Sequence, residues 1–478
     1  MKDAVIIGAG LAGLSAGWRL RHWDTLILEA DERVGGRIKS ERRGRYWLNW
    51  GGHVFAGPGS ATDVLLHEVG VEAVTILGAL AGISMNGKFV PNGQIATYPF
   101  RLPMSPSARL ATLTTGVKIM SNLILKYLPT VRHRPGESDL VREQRILDFE
   151  SKRTFQDFIG TGIPRDAESL FEVTVIRSAG SIHEISAGEG IGYFNLVLGI
   201  GQGLNRGIVG GPSTLTEAIA VALGDRVQLG APAYEIVEKK DSVIVRYRQD
   251  GVDKEVEART VVLATTANVS HRIGVNLPSD LRDALSKVKY GPHVSSAFLT
   301  NETSPRRWDN NYAIATPKRS MAIVLNQASI IRSLETERQP GGSIMTFSPA
   351  HLGRALLDKS DEEVQAIHLA DLEEVLGQGF SDSVVEASTA RWEKASPYTF
   401  PGREKIQSTL MRGASRVFLA GDYLGSHYTD SSISTGFEAA TQIGSILATD
   451  RQTRRIVDVP KTSQTPIRTN ANQEKSNA

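Results

Sequence analysis

Six residues near the start of the chain, Gly8-Ala9-Gly10-Leu11-Ala12-Gly13, place glycines at the spacing a main chain needs to close on a phosphate. Gly8 permits a tight turn, Gly10 lets the backbone approach a pyrophosphate, and Gly13 lets a helix pack closely on a strand. Ala9, Leu11 and Ala12 lie between them at the start of that helix, where unpaired N–H groups and the helix dipole face an anion. Glu29 closes the next apolar run, where a carboxylate accepts from a ribose diol and its charge disfavours a 2′-phosphate. Together these residues bind a dinucleotide.

The elements that must position them are legible around the motif. Ala4-Val5-Ile6-Ile7 reads as a short buried strand, Leu14 to Leu20 as a helix, and Thr25-Leu26-Ile27-Leu28 as a second strand. That order makes a GxGxxG specific. Glu29 and Ala30 continue into Gly35-Gly36-Arg37, a double-glycine turn carrying an arginine. About four hundred residues later Arg416-Val417-Phe418-Leu419-Ala420-Gly421-Asp422 is an apolar strand ending in Gly-Asp. Ser431-Ser432-Ile433-Ser434-Thr435-Gly436 then opens a helix of small residues. A nicotinamide enzyme has no need of that distant element. A flavin does, because the ribityl chain and ring of FAD extend well beyond the first fingerprint.

These segments resemble the flavin amine oxidase superfamily, which also holds protoporphyrinogen oxidases and plant-type carotenoid desaturases. The resemblance implies an α/β chain: a Rossmann-like FAD-binding domain with βαβ units and a β-meander, and an interleaved α+β substrate domain. It implies FAD contacts at Gly36 and Arg37, and at Gly51-Gly52, a pair expected to pass close to the flavin ring with His53 following. Further contacts are implied at Gly421 and Asp422, whose carboxylate accepts from ribityl or ribose hydroxyls. Ser432 and Ile433 begin a helix whose dipole favours negative charge on the reduced ring. Between Gly210 and Ala264 a helix, a small meander with a turn at Gln249-Asp250-Gly251, and a returning strand match the same family. There Ala233 takes the position whose backbone meets the adenine.

Composition narrows the class. A chain of 478 residues is too long for one simple core. The expected division is a discontinuous FAD-binding domain (1–85, 205–287 and 393–450), a substrate domain (86–204 and 288–392), and a disordered tail (451–478) rich in Thr, Asn, Gln and Ser. Apolar content of 41% and charged content of 22% suit a soluble globular protein, and a net charge of +2 gives no case for nucleic acid. The absence of cysteine excludes disulfides, cysteine–metal sites and a cysteinyl flavin. No metal-ligand cluster or hydrolase triad stands out. A strand beginning by residue 4 leaves no room for a signal peptide, and the apolar windows fall short of the roughly 20 residues of a membrane span. The expectation is a soluble cytoplasmic protein, with membrane-surface contact left open. Arg132-His133-Arg134-Pro135-Gly136 reads as a solvated loop.

On the substrate side, amine oxidases of the superfamily hold a lysine water-bridged to flavin N5. In a gapless placement Ser295 takes that position, which counts against a monoamine-oxidase-like site. The short spacing from Gly421 to Gly436 is that of protoporphyrinogen oxidases, although Asp422 departs from their asparagine. Gly421-Asp422-Tyr423 also resembles the plant-type desaturases. Trp392, Tyr398 and Tyr428 read either as aromatic walls of the ring face or as core packing, and His53 either as a flavin-edge group or as a structural histidine. The resulting reading is an oxidoreductase with non-covalent FAD that takes a hydride from a small molecule onto N5. The product is an imine from a C–N bond, or an alkene or aromatic system from a C–C bond. A bulky or ring-shaped amine or heterocycle is the expected substrate, and oxygen or a quinone the reoxidant. The alternatives are a protoporphyrinogen-oxidase-like or carotenoid-desaturase-like dehydrogenase, a redox-silent FAD-binding scaffold, and an NAD-dependent dehydrogenase.

Overall fold

The first apolar run forms the strand Lys2–Ile7, whose last four residues are fully enclosed. It pairs in parallel with Thr25–Leu28 on one side and with the far half of Val252–Leu263 on the other. Val227–Gln228 and Val417–Leu419 extend this parallel sheet at its two sides. The computed structural model describes residues 1–76, 82–91, 95–198, 204–425 and 429–457.

Val252–Leu263 serves two sheets at once. Its first half alternates exposed and half-buried positions and pairs antiparallel with Val243–Gln249, which pairs in turn with Ala233–Glu238. Its second half becomes buried where it enters the parallel sheet, ending in the apolar run Val261-Val262-Leu263. Asp250 and Gly251 both adopt positive φ, as a two-residue hairpin between right-twisted strands requires.

The helix Leu11–Arg19 lies against Ser213–Leu223 and against the last helix, Thr429–Val457. A Cβ on Gly436 would sit 2.4 Å from the Ala12 carbonyl oxygen, so the first and last helices touch through backbone. The expected tail boundary at 451 is therefore late-shifted: the helix continues to Val457.

A second, mostly antiparallel sheet runs in the order Val384–Pro397, Tyr290–Thr300, Gly342–Pro349, Ile323–Asn326, Ala313–Ala315, Gly82–Met85, Lys88–Val90. This corrects two expected boundaries. Gly82–Met85 belongs to this sheet, in parallel with Ala313–Ala315, although 85 was the expected end of the nucleotide segment. Val384–Pro397 likewise carries the sheet past the expected change at 393. Helices between residues 98 and 197 cover one side with a core of Phe155, Phe158, Phe171 and Phe194. The Arg132 to Gly136 run is exposed, as expected. Tyr46–Asn49, paired with Ser40–Arg43, packs on the second sheet: Ser343 Oγ donates to the Trp47 carbonyl at 2.5 Å, and the adjoining Trp50 Nε1 donates to the Ser388 carbonyl at 3.0 Å.

Candidate functional site

A cavity of about 800 Å³ runs from the first glycine turn to the face of the second sheet. The three fingerprint glycines meet three different constraints. Gly8 has φ +103°, and a Cβ there would lie 2.8 Å from the Ala264 carbonyl oxygen. On Gly13 it would lie 1.9 Å from the Gly8 carbonyl oxygen, so helix and strand touch there. Around Gly10 nothing lies within 4 Å, because that glycine faces the cavity. Leu11 and Ala12 line it too, whereas Ala9 and Gly13 lie behind the wall.

Glu29 is held by its neighbours. Its Oε2 accepts from the Ala9 N–H at 2.6 Å and its Oε1 from the Asp31 N–H at 3.0 Å. The main chain of 228–231 clamps it from the other side: Glu29 N–H donates to the Gln228 carbonyl, and Ala231 N–H to the Glu29 carbonyl. Ala30 lines the cavity beside it. Ala233 opens the meander strand Ala233–Glu238, as expected, opposite Tyr247, and does not line the cavity.

Gly35 and Gly36 take φ +100° and +54°, and Arg33 Nη2 donates to the Gly36 carbonyl at 2.6 Å. The turn presents Arg37, whose Nη1 and Nη2 donate to the two Asp422 oxygens at 2.7 and 2.9 Å. Nη1 also donates to the Ala395 carbonyl at 2.7 Å. Burial works against the Arg37 charge, and the adjoining Asp422 carboxylate outweighs it, so the guanidinium holds its proton more tightly than usual. Both Asp422 oxygens are thus engaged by a residue 385 positions away in sequence. Gly421 and Ser432 line the cavity; Ile433 is fully buried in the core and does not.

Gly51 and Gly52 line the cavity, but their nearest obstacles are protein. A Cβ on Gly51 would lie 2.1 Å from the Arg37 carbonyl oxygen, and one on Gly52 would lie 2.7 Å from Ile38 Cδ1. Beyond them the inner end is built by residues from distant segments. His53 Nδ1 lies 3.2 Å from the Gly51 carbonyl, and the Tyr312 hydroxyl donates to the His53 carbonyl at 3.1 Å. The rings of His53 and His293 both meet Phe347 edge-on, at 5.8 and 4.4 Å between centroids. The Arg177 guanidinium lies 5.5 Å from the Tyr193 ring centre, and both line the cavity.

Ser295 is corrected. It sits on Tyr290–Thr300, fully buried, but it does not line the cavity, and its Oγ has no partner among the described residues. His293 lines the cavity instead. Two residues on a strand share a face but are separated by roughly 7 Å, and pairing with Val384–Pro397 is irregular between Gly291 and His293. Trp392, directly opposite His293, lines the cavity. Tyr398 does not: it packs on Gly180, where an added Cβ would lie 3.0 Å from its ring, and is core. Tyr428 lies outside the described residues. Arg177, Tyr193, Tyr312, Phe347 and His293 carried no motif; only His293 was reachable, by stepping two residues along the strand from Ser295. Among the described lining residues the one lysine is Lys394, and it is exposed.

Burial pushes His53 down to about 4 and His293 to about 3, with nearby Arg177 and Arg37 respectively adding to the effect, so both rings are neutral near pH 7. His368, enclosed by the hydroxyls of Ser296, Thr346 and Ser348, is likewise pushed down to about 4. From their ordinary value of 6.5 down to about 4, the unfolded chain binds protons that these folded rings refuse. Stability is therefore complete above that window and falls as pH drops through it, with each ring contributing a slope of up to about 1.4 kcal/mol per pH unit. His368→Gln keeps hydrogen-bonding groups and is expected to flatten this slope in denaturant titrations at stepped pH. An unchanged slope would show a ring already charged in the folded state.

Comparison with known proteins agrees with this geometry. A family model described as flavin containing amine oxidoreductase matches residues 11–444. Flavin-containing amine oxidase A of Sus scrofa is 25% identical over 482 residues, covering 93% of this chain and 85% of its own length. The structure of wild-type putrescine oxidase bound to putrescine superposes with a TM-score of 0.73 at 20% identity, over 93% of this chain and 99% of that one. Cyclohexylamine oxidase from Brevibacterium oxydans IH-35A gives 0.73 at 18% identity, over 94% and 99%. At these identities the two structures speak to the fold.

Proposed function

This chain belongs to the flavin-containing amine oxidoreductase family, and from that premise we propose that it binds FAD without a covalent link and oxidises a bulky or ring-shaped amine or heterocycle. The observation that carries the reading is the continuity of one cavity from the glycine turn and Glu29 to the enclosed end bearing His53, His293 and Trp392. The residues fit the cofactor. The space over Gly10 is open, Glu29 presents a carboxylate beside it, and His293 Nε2 is buried without a partner among the described residues. When bound, the flavin supplies the two-electron acceptor.

The chain's own residues bind, orient and exclude water. Glu29 is placed to hold a ribose diol, and the Gly8–Gly10 turn leaves room for the pyrophosphate at the start of Leu11–Arg19. Phe347, Trp392 and Tyr193 enclose the inner end in apolar surface. Burial and the Arg177 charge disfavour an ammonium there, so the amine is bound neutral, the form whose nitrogen lone pair can assist loss of a hydride. Among the described lining residues the one lysine, Lys394, is exposed to solvent, and this supports including C–C oxidation within the reading. Oxygen is proposed as the reoxidant.

Anaerobic mixing with cyclic amines, simple primary amines and reduced ring systems tests the function. Bleaching of the oxidised flavin by a cyclic substrate, with peroxide formed on admitting air, is expected. Flavin that no candidate bleaches would leave a redox-silent scaffold. Acid precipitation is expected to release all the flavin into the supernatant; flavin retained by the pellet would show a covalent link.

Glu29→Ala removes a charge-assisted hydrogen bond worth about 1.5–3 kcal/mol. FAD affinity is expected to fall roughly ten- to a hundredfold, measured by titrating the apoprotein. Unchanged affinity would place the ribose elsewhere.

A further inference from the structure

From Ala73 to Gly136 the sequence holds no aspartate or glutamate, yet it carries Lys88, Arg101, Arg109, Lys118, Lys126, Arg132 and Arg134. The whole chain balances 54 basic against 52 acidic residues, so this bias is local. Much of the segment folds as the helix Pro106–Asn122, continued through a wide turn at Leu123–Tyr127 into Leu128–Val131. One face is buried: Ala108, Thr112, Thr115, Ile119 and Leu123 pack inward. The opposite face is apolar too. Leu110, Val117 and Leu125 are 63%, 69% and 72% exposed, and Ile124 is 50% exposed. With Thr114 and Ser121 these positions advance by alternating steps of four and three, a single stripe along the helix. Isolated exposed leucines are ordinary, whereas a stripe of them on one helix marks an interaction surface. Phe100, 66% exposed, lies on the short adjoining helix Tyr98–Arg101. Arg101, Lys126 and Arg132 are exposed beside the apolar residues.

We propose that this stripe docks on an anionic lipid surface, with Leu110, Val117, Ile124 and Leu125 entering the interface and Arg101, Lys126 and Arg132 reaching the headgroups. An apolar helix face flanked by cations has the chemistry of an in-plane membrane anchor, in which long basic side chains lay their stems along apolar surface and keep their heads in the polar layer. A second copy of the chain fits this face poorly, because the segment offers no acidic group to meet the other copy's cations. The stripe also backs the site. The Tyr127 hydroxyl approaches Gly192 on the helix Ala187–Val197, where an added Cβ would lie 2.5 Å from it, and Tyr193, Leu196 and Val197 of that helix line the cavity.

The test is co-sedimentation of the full-length flavoprotein with vesicles of phosphatidylcholine alone and of phosphatidylcholine mixed with phosphatidylserine. Binding to the mixed vesicles only, weakening as salt is raised, is expected. Arg101→Gln, Lys126→Gln and Arg132→Gln should each weaken it roughly fivefold. A Leu110→Ser, Val117→Ser and Leu125→Ser variant should abolish it, while flavin content stays unchanged in all variants. Failure to bind either vesicle, or binding that none of the variants weakens, overturns the proposal. So does a concentration-dependent dimer in sedimentation velocity that the serine variant dissolves, since the occupant would then be a second copy.

Discussion

Asp422→Ala should unfold at markedly lower denaturant and lose its flavin, because it strands the Arg37 guanidinium in the cavity wall. Removing one partner of a buried ion pair costs about 3–5 kcal/mol, most of it the penalty on the charge left behind. The Arg37 side chain keeps its bond to the Ala395 carbonyl and is 31% exposed, so the lower end, about 3 kcal/mol, is expected. The pair ties the turn after the second strand to the loop after Val417–Leu419, two segments that meet at the cavity. Its loss should therefore appear in cofactor affinity as well as in stability. Asp422→Asn preserves shape and one acceptor and should recover part of both. Stability within error of the parent protein for Asp422→Ala would mean that Arg37 is solvated in solution.

The second large effect separates the roles of Gly10 and Gly13, three residues apart in sequence. Gly13→Val places carbon 1.9 Å from the Gly8 carbonyl oxygen, a backbone atom that cannot rotate away. Helix and strand must part, at a cost of about 3 kcal/mol or more, and the protein is expected to purify without flavin and to unfold early. Gly10→Ala meets nothing within 4 Å and has φ −70°, which alanine accepts. It should leave the apoprotein as stable as the parent and weaken only FAD binding, because its methyl group intrudes on the cavity. If Gly10→Ala lowered apoprotein stability as much as Gly13→Val, the division between packing glycine and ligand-facing glycine would fail.

What was legible in the sequence follows from distance along the chain. The opening turn, Glu29 and the Gly35-Gly36-Arg37 bend lie within thirty or so residues of one another, and local rules of turn, strand and helix place them. Gly421 and Asp422 were recognisable, but the partner of Asp422 was not: nothing in either segment states that Arg37 occupies both of its oxygens. At the inner end the wall is assembled from residues 53, 177, 193, 293, 312, 347 and 392, seven separate stretches of chain with ordinary compositions. Ser295 shows the limit on a finer scale. The strand and its face were readable, yet it is His293, two residues before Ser295 on that face, that reaches the cavity. Gly51 lines the cavity, and its absent side chain is required first by the Arg37 main chain, a reason the sequence did not disclose.

The order in which the parallel sheet is filled bears on how the protein is made. Its strands come from the first seven residues, from 25–28, 227–228 and 258–263, and finally from 417–419, and the last helix seats on the first through Gly436. A ribosome must therefore release nearly the whole polypeptide before the nucleotide sheet can close, and the early strands wait with unpaired edges. Pairings this remote in sequence are slow to form and leave intermediates open to association. Premature termination anywhere before residue 419 removes a strand of the cofactor sheet, so a truncated product should be a substrate for quality control and not a weakened enzyme. For heterologous production, slower synthesis and ample flavin should raise yield more than any single stabilising substitution on the surface.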